Sequence, residues 1–162
     1  MKHEYIQIRR ATSEDTNAIV ELWKEYMDFH AERDHHFTRS EEGPHRFGEY
    51  ISGRIVDDAS CVLVAEHEQD VMGYCLATLA KFPSVFAYRE YGSISDLAVT
   101  ARFRHQGIGQ ALVEAAFRWF AERDVHRIEV RAATSNEVST AFWRKMGFAP
   151  YIEILYREQS RG

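Results

Sequence analysis

A glycine-containing turn, Arg104–Gly109, is the most distinctive motif of this sequence. It stands between a segment typical of a β-strand, 94–99, and a segment typical of an amphipathic helix, 108–123. The first N–H groups of a helix lack partners inside the helix and carry partial positive charge. Glycine lets an anion approach these groups closely, because it has no Cβ atom. The turn therefore predicts an anion site, and a phosphate is the expected ligand.

Two general nucleotide-binding patterns fit this turn poorly. The loop-and-lysine site needs Lys followed by Ser or Thr after the second glycine, but Gln110 and Ala111 follow here. The dinucleotide fingerprint needs a third small residue, and Leu112 stands in its place. Glu129 follows the glycines at a suitable spacing in the sequence for the acidic residue that binds ribose, yet it falls inside a strand pattern. A dinucleotide-binding oxidoreductase therefore remains as a minor alternative.

The hydrophobic patterns around the turn define the elements that must position it. Strands are predicted over 5–9, 61–65, 71–79, 93–99, 128–132 and 148–156, and helices over 13–30, 43–55, 108–123 and 136–146. The order is β-α-α-β-β-β-α-β-α-β. Three consecutive strands followed by alternating helix and strand imply an α/β (α+β) protein with a mixed, mostly antiparallel central sheet and helices on both faces.

This element order, with the turn after the fourth strand, resembles the GNAT superfamily, the Gcn5-related N-acetyltransferases. The family's pyrophosphate-binding pattern is Arg/Gln-x-x-Gly-x-Gly/Ala, which Arg104, Gly107 and Gly109 match. The preceding strand, Ser95–Val99, also looks like the family's fourth strand. The resemblance implies that residues 1–162 form a single N-acetyltransferase domain.

A second motif follows in the last predicted helix. The family commonly has Asn-x-x-Ala near the start of this helix and Gly-Phe at its end, and Asn136, Gly147 and Phe148 match in register. Ser139 replaces the alanine. The family often has a Tyr, thought to protonate the departing coenzyme A thiolate, where this chain has Trp143. An indole N–H donates hydrogen bonds but is not a useful acid near neutral pH, so the source of that proton stays open.

The resemblance implies direct transfer of acetyl from acetyl-CoA to an amine, with coenzyme A as the product and no metal. The backbone of 97–99 would pair with the pantetheine arm, 104–109 would hold the pyrophosphate, and Gln110 would lie at its edge. Asn136 would contact the pantetheine or cap its helix, and Trp143 would pack along the arm or donate a hydrogen bond to the sulfur. The residues expected to bind the coenzyme are Leu97, Ala98, Val99, Arg104, His105, Gln106, Gly107, Ile108, Gly109, Gln110, Asn136 and Trp143.

Asp96 is the first candidate for the general base. An amine must be neutral to attack a thioester, yet free amines are mostly protonated at pH 7, so a base should remove the proton. Asp96 lies just before the stretch expected to hold the thioester, although a structural carboxylate remains the alternative. Ser95 stands where some relatives carry Glu, which relays the proton through water. The predicted catalytic residues are therefore Asp96 and Ser95.

The acceptor site is expected among the two early helices and the aromatic segment 82–91. Histidines also cluster in the early region, but their spacings fit no metal-ligand motif: His30, His35, His36 and His45. Three further tyrosines are spare proton donors: Tyr88, Tyr91 and Tyr156. The identity of the acceptor, small molecule or protein amine, stays open.

Composition narrows the class of protein. The 162 residues carry 20 basic and 25 acidic side chains, a net charge of −5, which argues against nucleic acid as an obligate partner. No apolar run approaches a membrane span, and the first five residues lack the apolar core of a signal peptide. Cys61 and Cys75 are expected as buried thiols. These features predict a cytoplasmic protein, for which the family suggests a homodimer. A non-catalytic acyl-CoA sensor is the alternative that Trp143 keeps open.

Overall fold

The computed structural model describes residues 5–162 as two compact units, one ending at Arg131 and the other comprising Ala132–Gly162. The first unit contains the sheet and three α-helices. The first four residues, on which part of the signal-peptide expectation rests, lie outside the described residues. In residues 5–162 no helix is both long enough and apolar enough to cross a membrane.

A five-stranded sheet lies at the centre of the first unit, with the strands in the order β1-β2-β3-β4-β5. Neighbours are antiparallel as far as β4, whereas β4 and β5 are parallel. The mixed, mostly antiparallel sheet predicted from the sequence is therefore confirmed. The strands are β1 Gln7–Arg10, β2 Ser60–His67, β3 Asp70–Lys81, β4 Glu90–Val99 and β5 Ile128–Val130, and the helices are α1 Thr16–Ala31, α2 Gly43–Val56 and α3 Ile108–Ala121.

The predicted start of α1 is formed by a reciprocal cap. Thr12 N–H donates to Asp15 Oδ2 at 2.7 Å, just before the first helical turn. Because this cap contains a short 3₁₀ turn at Ser13–Asp15, the α-helix itself begins later than the predicted residue 13. The predicted β2–β3 hairpin is also present, and Glu68 and Gln69 adopt positive φ angles in its two-residue turn.

Helices cover both faces of the sheet. The side chains of α1 and α2 share one apolar cluster with alternate residues of β2, β3 and β4, including Val62, Tyr74 and Ala98. The helix α3 packs on β2, β3 and β4, and its apolar stripe is buried. Gly92 of β4 leaves room for the ring of Phe120, because a Cβ atom there would overlap that ring. This close contact seats α3 on the strand that leads to its own N-terminal turn.

Both cysteines are buried free thiols, as expected. Burial raises the pKa of Cys61 and the pKa of Cys75 above the ordinary thiol value. Neither thiol is therefore available as a thiolate near neutral pH.

The second unit contains one helix, α4, at Glu137–Lys145. Asn136 caps it, with its Oδ1 accepting from Ser139 N–H at 3.1 Å. Gly147 follows with a φ of 95°, the left-handed C-cap conformation predicted at this position.

The last predicted strand, 148–156, is wrong. Residues 148–162, all of them described, have no regular secondary structure. A strand needs a hydrogen-bonded partner, and Ala132–Gly162 contains no strand to provide one. The large apolar side chains of this segment are instead exposed: Tyr151, Ile152, Ile154, Leu155 and Tyr156.

Candidate functional site

A β-bulge lies at Ser95 of β4, at the point where the pairing of β4 with β5 ends. Gly92, Ser93 and Ile94 pair with β5, and no residue beyond Ile94 does so. On the β3 side, Ile94 faces Ala77 and Asp96 faces Leu76, so Ser95 faces no residue of β3. A bulge bends its strand and ends regular pairing. In the described chain, the β5-side edge of residues 95–99 therefore has no strand partner.

The glycine turn lies at the end of this unpaired edge. His105 and Gly107 adopt φ angles of 63° and 80°, and Gly107 is the N-cap residue of α3. No side chain caps the helix there, and a Cβ atom at Gly107 would meet no atom within 4 Å. The open N-terminus of a 14-residue helix thus follows β4 after a short 3₁₀ turn, Ala101–Phe103, and the glycine turn. Its first N–H groups can bind an anion, as the sequence predicts.

Arg104 binds the protein rather than projecting freely from the turn. Its Nε donates to the carbonyl oxygen of Val99 at 3.0 Å, and its Nη2 lies 3.4 Å from Glu25 Oε1. Its guanidinium carbon lies 5.0 Å from the ring centroid of Phe29. The guanidinium therefore links the end of β4, the turn and α1. Whether it also contacts a pyrophosphate stays a prediction.

The other predicted loop residues surround the helix start. His105, Gln106, Gly107 and Gln110 are exposed, whereas the Ile108 side chain is buried. The Gln110 amide donates to Glu114 at 2.8 Å. On β4, Leu97 and Val99 are half-buried, and Ala98 is buried in the α1–α2 cluster. In the first unit, the strand edge at 95–99 thus leads through the 3₁₀ turn at Ala101–Phe103 to the turn and helix start at 104–110.

Asp96 lies on the α1–α2 face of β4, half-buried, beside two tyrosines. Tyr74 Oη donates to Asp96 Oδ2 at 3.0 Å. Burial raises the pKa of Asp96 above its ordinary value, and the Tyr74 hydrogen bond partly offsets that rise. Tyr26 of α1 is close enough for burial and the Asp96 charge to raise the pKa of Tyr26 to about 12. A carboxylate of raised pKa is a better base than an exposed one.

Tyr74 and Glu25 were not identified from the sequence. Tyr74 sits in an apolar strand pattern, where a tyrosine is indistinguishable from a core residue. Glu25 lies between apolar positions of α1 and has the pattern of a solvent-facing residue. Both side chains form their contacts with residues far away in the sequence, at Asp96 and at the segment after β4.

The four early histidines do not form one group. His30 is buried against Tyr26, with ring centroids 4.3 Å apart, and burial lowers the pKa of His30. His35 and His36 are exposed, and with Asp34 their ligand atoms lie within 4.8 Å of one another. His45 is exposed beside Glu49, 3.5 Å away. Only His30 belongs to the side of α1 that also carries Tyr26.

Two predicted site residues belong to the second unit. Asn136 is buried and forms the α4 cap, so its capping role is confirmed and a coenzyme contact stays a prediction. Trp143 is buried, with edge-on contacts to Phe142 and Phe148 at ring-centroid distances of 5.0 and 5.3 Å. Its position in the fold of this unit is that of a packing residue.

The described chain thus combines a strand edge without a partner, a glycine turn and an open helix start, and comparison with known proteins identifies the family. The model of the acetyltransferase (GNAT) family matches residues 16–148. The chain therefore belongs to the acetyltransferase (GNAT) family. The match runs across the boundary between the two units.

Similar proteins include two that are named as acetyltransferases. An uncharacterized N-acetyltransferase of Archaeoglobus fulgidus is 28% identical over 138 residues, which are 85% of this chain and 89% of the relative. A crystal structure of a mutant of the BH1408 protein from Bacillus halodurans has 25% identity and a TM-score of 0.85, over 95% of this chain and 99% of that one. A predicted acetyltransferase from Clostridium acetobutylicum, in a crystal structure with acetyl-CoA, has 17% identity and a TM-score of 0.77, over 95% and 96% of the two chains.

Proposed function

We propose that this protein is an acetyl-CoA-dependent N-acetyltransferase that transfers acetyl directly to a primary amine. The observation that carries the proposal is the bulge at Ser95, beyond which the β5-side edge of β4 has no strand partner while its other edge stays paired with β3. An extended ligand with amide groups can pair with such an edge as an added strand. A diphosphate at one end of that ligand would meet the N-terminus of α3. Pantetheine and pyrophosphate have this order in coenzyme A.

The bound acetyl-CoA in the Clostridium acetobutylicum structure supports the choice of coenzyme, as a likeness of fold. The minor alternative, a dinucleotide-binding oxidoreductase, gains no support from a family match to acetyltransferases over residues 16–148. We also propose that the two units belong to one acetyltransferase domain, since that match runs across their boundary. The homodimer remains a prediction.

In the proposed reaction, the amine nitrogen attacks the carbonyl carbon of the thioester. The new C–N bond forms, negative charge develops on the carbonyl oxygen, and the C–S bond then breaks to release coenzyme A as a thiolate. A backbone N–H on the unpaired edge of β4, within 97–99, would stabilise that oxygen. The nitrogen loses one proton in becoming an amide. Asp96 accepts it, directly or through a water held by Ser95, which is exposed at the bulge.

The thiolate needs no dedicated acid in this scheme. Ordinary thiols have a pKa near 8.5, so a thiolate is an adequate leaving group near neutral pH and takes a proton from solvent. The buried Trp143 supports this reading, because its indole packs between Phe142 and Phe148. The proposed entry for the acceptor amine is the face of the sheet on which Asp96 of β4 lies beside Tyr26 of α1.

The test is amine-dependent thiol release. The purified protein is incubated with acetyl-CoA and a panel of polyamines, aminoglycosides, amino acids and peptides with free N-termini, and free thiol is measured. We expect release with at least one amine, together with acetylated product by mass spectrometry. Tight binding of acetyl-CoA with no release across the panel would contradict catalysis and favour the acyl-CoA sensor.

A further inference from the structure

Glu25 of α1 holds the segment that leads from β4 into the glycine turn. Its Oε1 accepts from Ala101 N–H at 2.7 Å, and its Oε2 accepts from Thr100 Oγ1 at 3.1 Å. The guanidinium of Arg104 lies 3.4 Å from Oε1. All three partners lie between the end of β4 and the start of the turn, and the carboxylate reaches them from 75 to 79 residues away in the sequence.

The carboxylate takes over a capping function that the segment itself does not perform. Ala101–Phe103 is a 3₁₀ turn with Thr100 at its N-cap, but the Thr100 side chain makes no cap hydrogen bond. That hydroxyl donates to Glu25 instead, and the first N–H of the turn also points at Glu25. A charged acceptor at the start of a helical turn forms short, strong hydrogen bonds. The chain direction out of β4 therefore depends on a residue of another element.

From this we propose that Glu25 is a positioning residue for the pyrophosphate-binding turn. The proposal rests on the function proposed above. The turn binds an anion through backbone N–H groups, so its affinity depends on how well those groups are preorganised. Glu25 fixes residues 100 and 101 and orients Arg104, whose Nε in turn bonds the Val99 carbonyl at 3.0 Å. The position from which residues 105–107 begin is therefore fixed, and His105 and Gly107 then adopt left-handed φ angles.

This role makes a prediction that a purely structural role does not. Loss of Glu25 should weaken binding of the diphosphate part of coenzyme A and leave the pantetheine part, which pairs with β4, unaffected. A defect in the fold of the first unit would weaken both parts together. The comparison of coenzyme A with pantetheine, which lacks the diphosphate and the adenosine beyond it, separates the two cases.

The experiment uses calorimetric titration of the full chain and its variants with coenzyme A and with pantetheine. Glu25→Gln keeps the size of the side chain and removes its charge and one acceptor oxygen. We expect its affinity for coenzyme A to fall about tenfold, the scale of losing hydrogen bonds to a charged group, with pantetheine affinity within about twofold of wild type. In turnover assays, the KM for acetyl-CoA should rise and kcat should change little.

Two further variants act as controls. Glu21→Gln removes a carboxylate one turn earlier on α1, where it pairs with Lys24, and should change neither affinity. Thr100→Val removes one of the three partners and should weaken coenzyme A binding less than Glu25→Gln. Because the two side chains share one hydrogen bond, the effects in the double variant should fall short of their sum.

Three results would overturn the proposal. Glu25→Gln could bind coenzyme A as tightly as wild type, or it could lose affinity for coenzyme A and pantetheine equally. Either result would refute the positioning role while leaving the proposed function intact, provided that the wild type binds coenzyme A. Failure of the folded wild type to bind coenzyme A would instead refute the proposed function and the positioning role with it.

Discussion

Tyr74 of β3 donates its hydroxyl hydrogen to Asp96 of β4 across the sheet, with 3.0 Å between Tyr74 Oη and Asp96 Oδ2. The two residues are diagonal neighbours, since Tyr74 faces Ala98 and Asp96 faces Leu76. Burial disfavours the ionised carboxylate, whereas the tyrosine hydrogen bond favours it. Tyr74 therefore holds the pKa of Asp96 lower than burial alone would set it, and so keeps a larger fraction ionised at neutral pH.

Tyr74→Phe should move the acid limb of the pH–rate profile to higher pH. The rate requires ionised Asp96, and the pKa of Asp96 rises further when the hydroxyl that stabilises the carboxylate is removed. A hydrogen bond to a charged group contributes about 1.5–3 kcal/mol, so the shift should be about one pH unit or more. The profile of kcat against pH measures it. Tyr50→Phe, at an exposed tyrosine of α2, is the control, and equal limbs in all three proteins would exclude Asp96 as the base.

Asp96→Asn should lower turnover strongly while coenzyme affinity stays close to wild type. Removal of a general base costs about 10²–10⁴-fold in rate. Because burial raises the pKa of Asp96, the folded protein holds this proton more tightly than the unfolded chain does. The ionised carboxylate therefore costs stability above the unfolded pKa of about 4, increasingly up to the folded pKa. At pH 7 the variant's unfolding free energy should equal or exceed that of wild type, and a clear loss of stability would indicate a structural carboxylate.

Gly107→Ala should destabilise the protein and weaken coenzyme binding. A side chain at a φ of 80° costs about 1–2 kcal/mol, which chemical denaturation measures. Gly53→Ala in α2 is the matched control, since no atom lies within 4 Å of its added Cβ and helical alanine should add about 0.5–1 kcal/mol of stability. Gly107→Glu should abolish binding, because it adds bulk and negative charge at the anion site. Coenzyme binding that survives Gly107→Glu would place the diphosphate elsewhere.

Trp143→Tyr should leave kcat unchanged within about twofold, if thiolate protonation does not limit turnover. The side chain is buried against two phenylalanines, so Trp143→Ala should instead lower the unfolding free energy by about 3–5 kcal/mol. Steady-state kinetics of the Tyr variant and denaturation of the Ala variant check the two parts. A rate that rises several-fold in Trp143→Tyr would mean that the wild type lacks an acid it needs.

Local patterns were sufficient to predict most of the fold. Helix α3 has a wide apolar stripe and a glycine start, and the β2–β3 hairpin has two apolar runs joined by a short polar turn, so short-range physics determines both. The failure at 148–156 has a different origin. Its aromatic and β-branched residues favour a strand, but whether a strand forms depends on a partner, and no local pattern encodes that.

The candidate site also contains features that the local sequence predicts and features that depend on contacts between distant residues. The glycine turn and Asp96 could be predicted because both belong to a short sequence motif, a strand followed by a glycine turn and a helix. The bulge at Ser95 could not be predicted, since it exists only as a register between β3 and β4. Glu25 and Tyr74 were missed for the same reason, because each functions through a contact with a residue far away in the chain. Arg104 was predicted as a ligand of the pyrophosphate, and its contacts with Glu25 and Val99 add a structural role that its motif does not express.

A calorimetric titration with acetyl-CoA, with NAD as the control ligand, shows whether this chain binds an acyl-coenzyme. If the unpaired edge of β4 and the start of α3 bind an acyl-coenzyme, acetyl-CoA should bind with one site per chain and micromolar affinity, and Gly107→Glu should remove the signal. NAD should give no heat of binding. If the folded protein does not bind acetyl-CoA, or binds NAD instead, the proposed acyl-coenzyme site is contradicted.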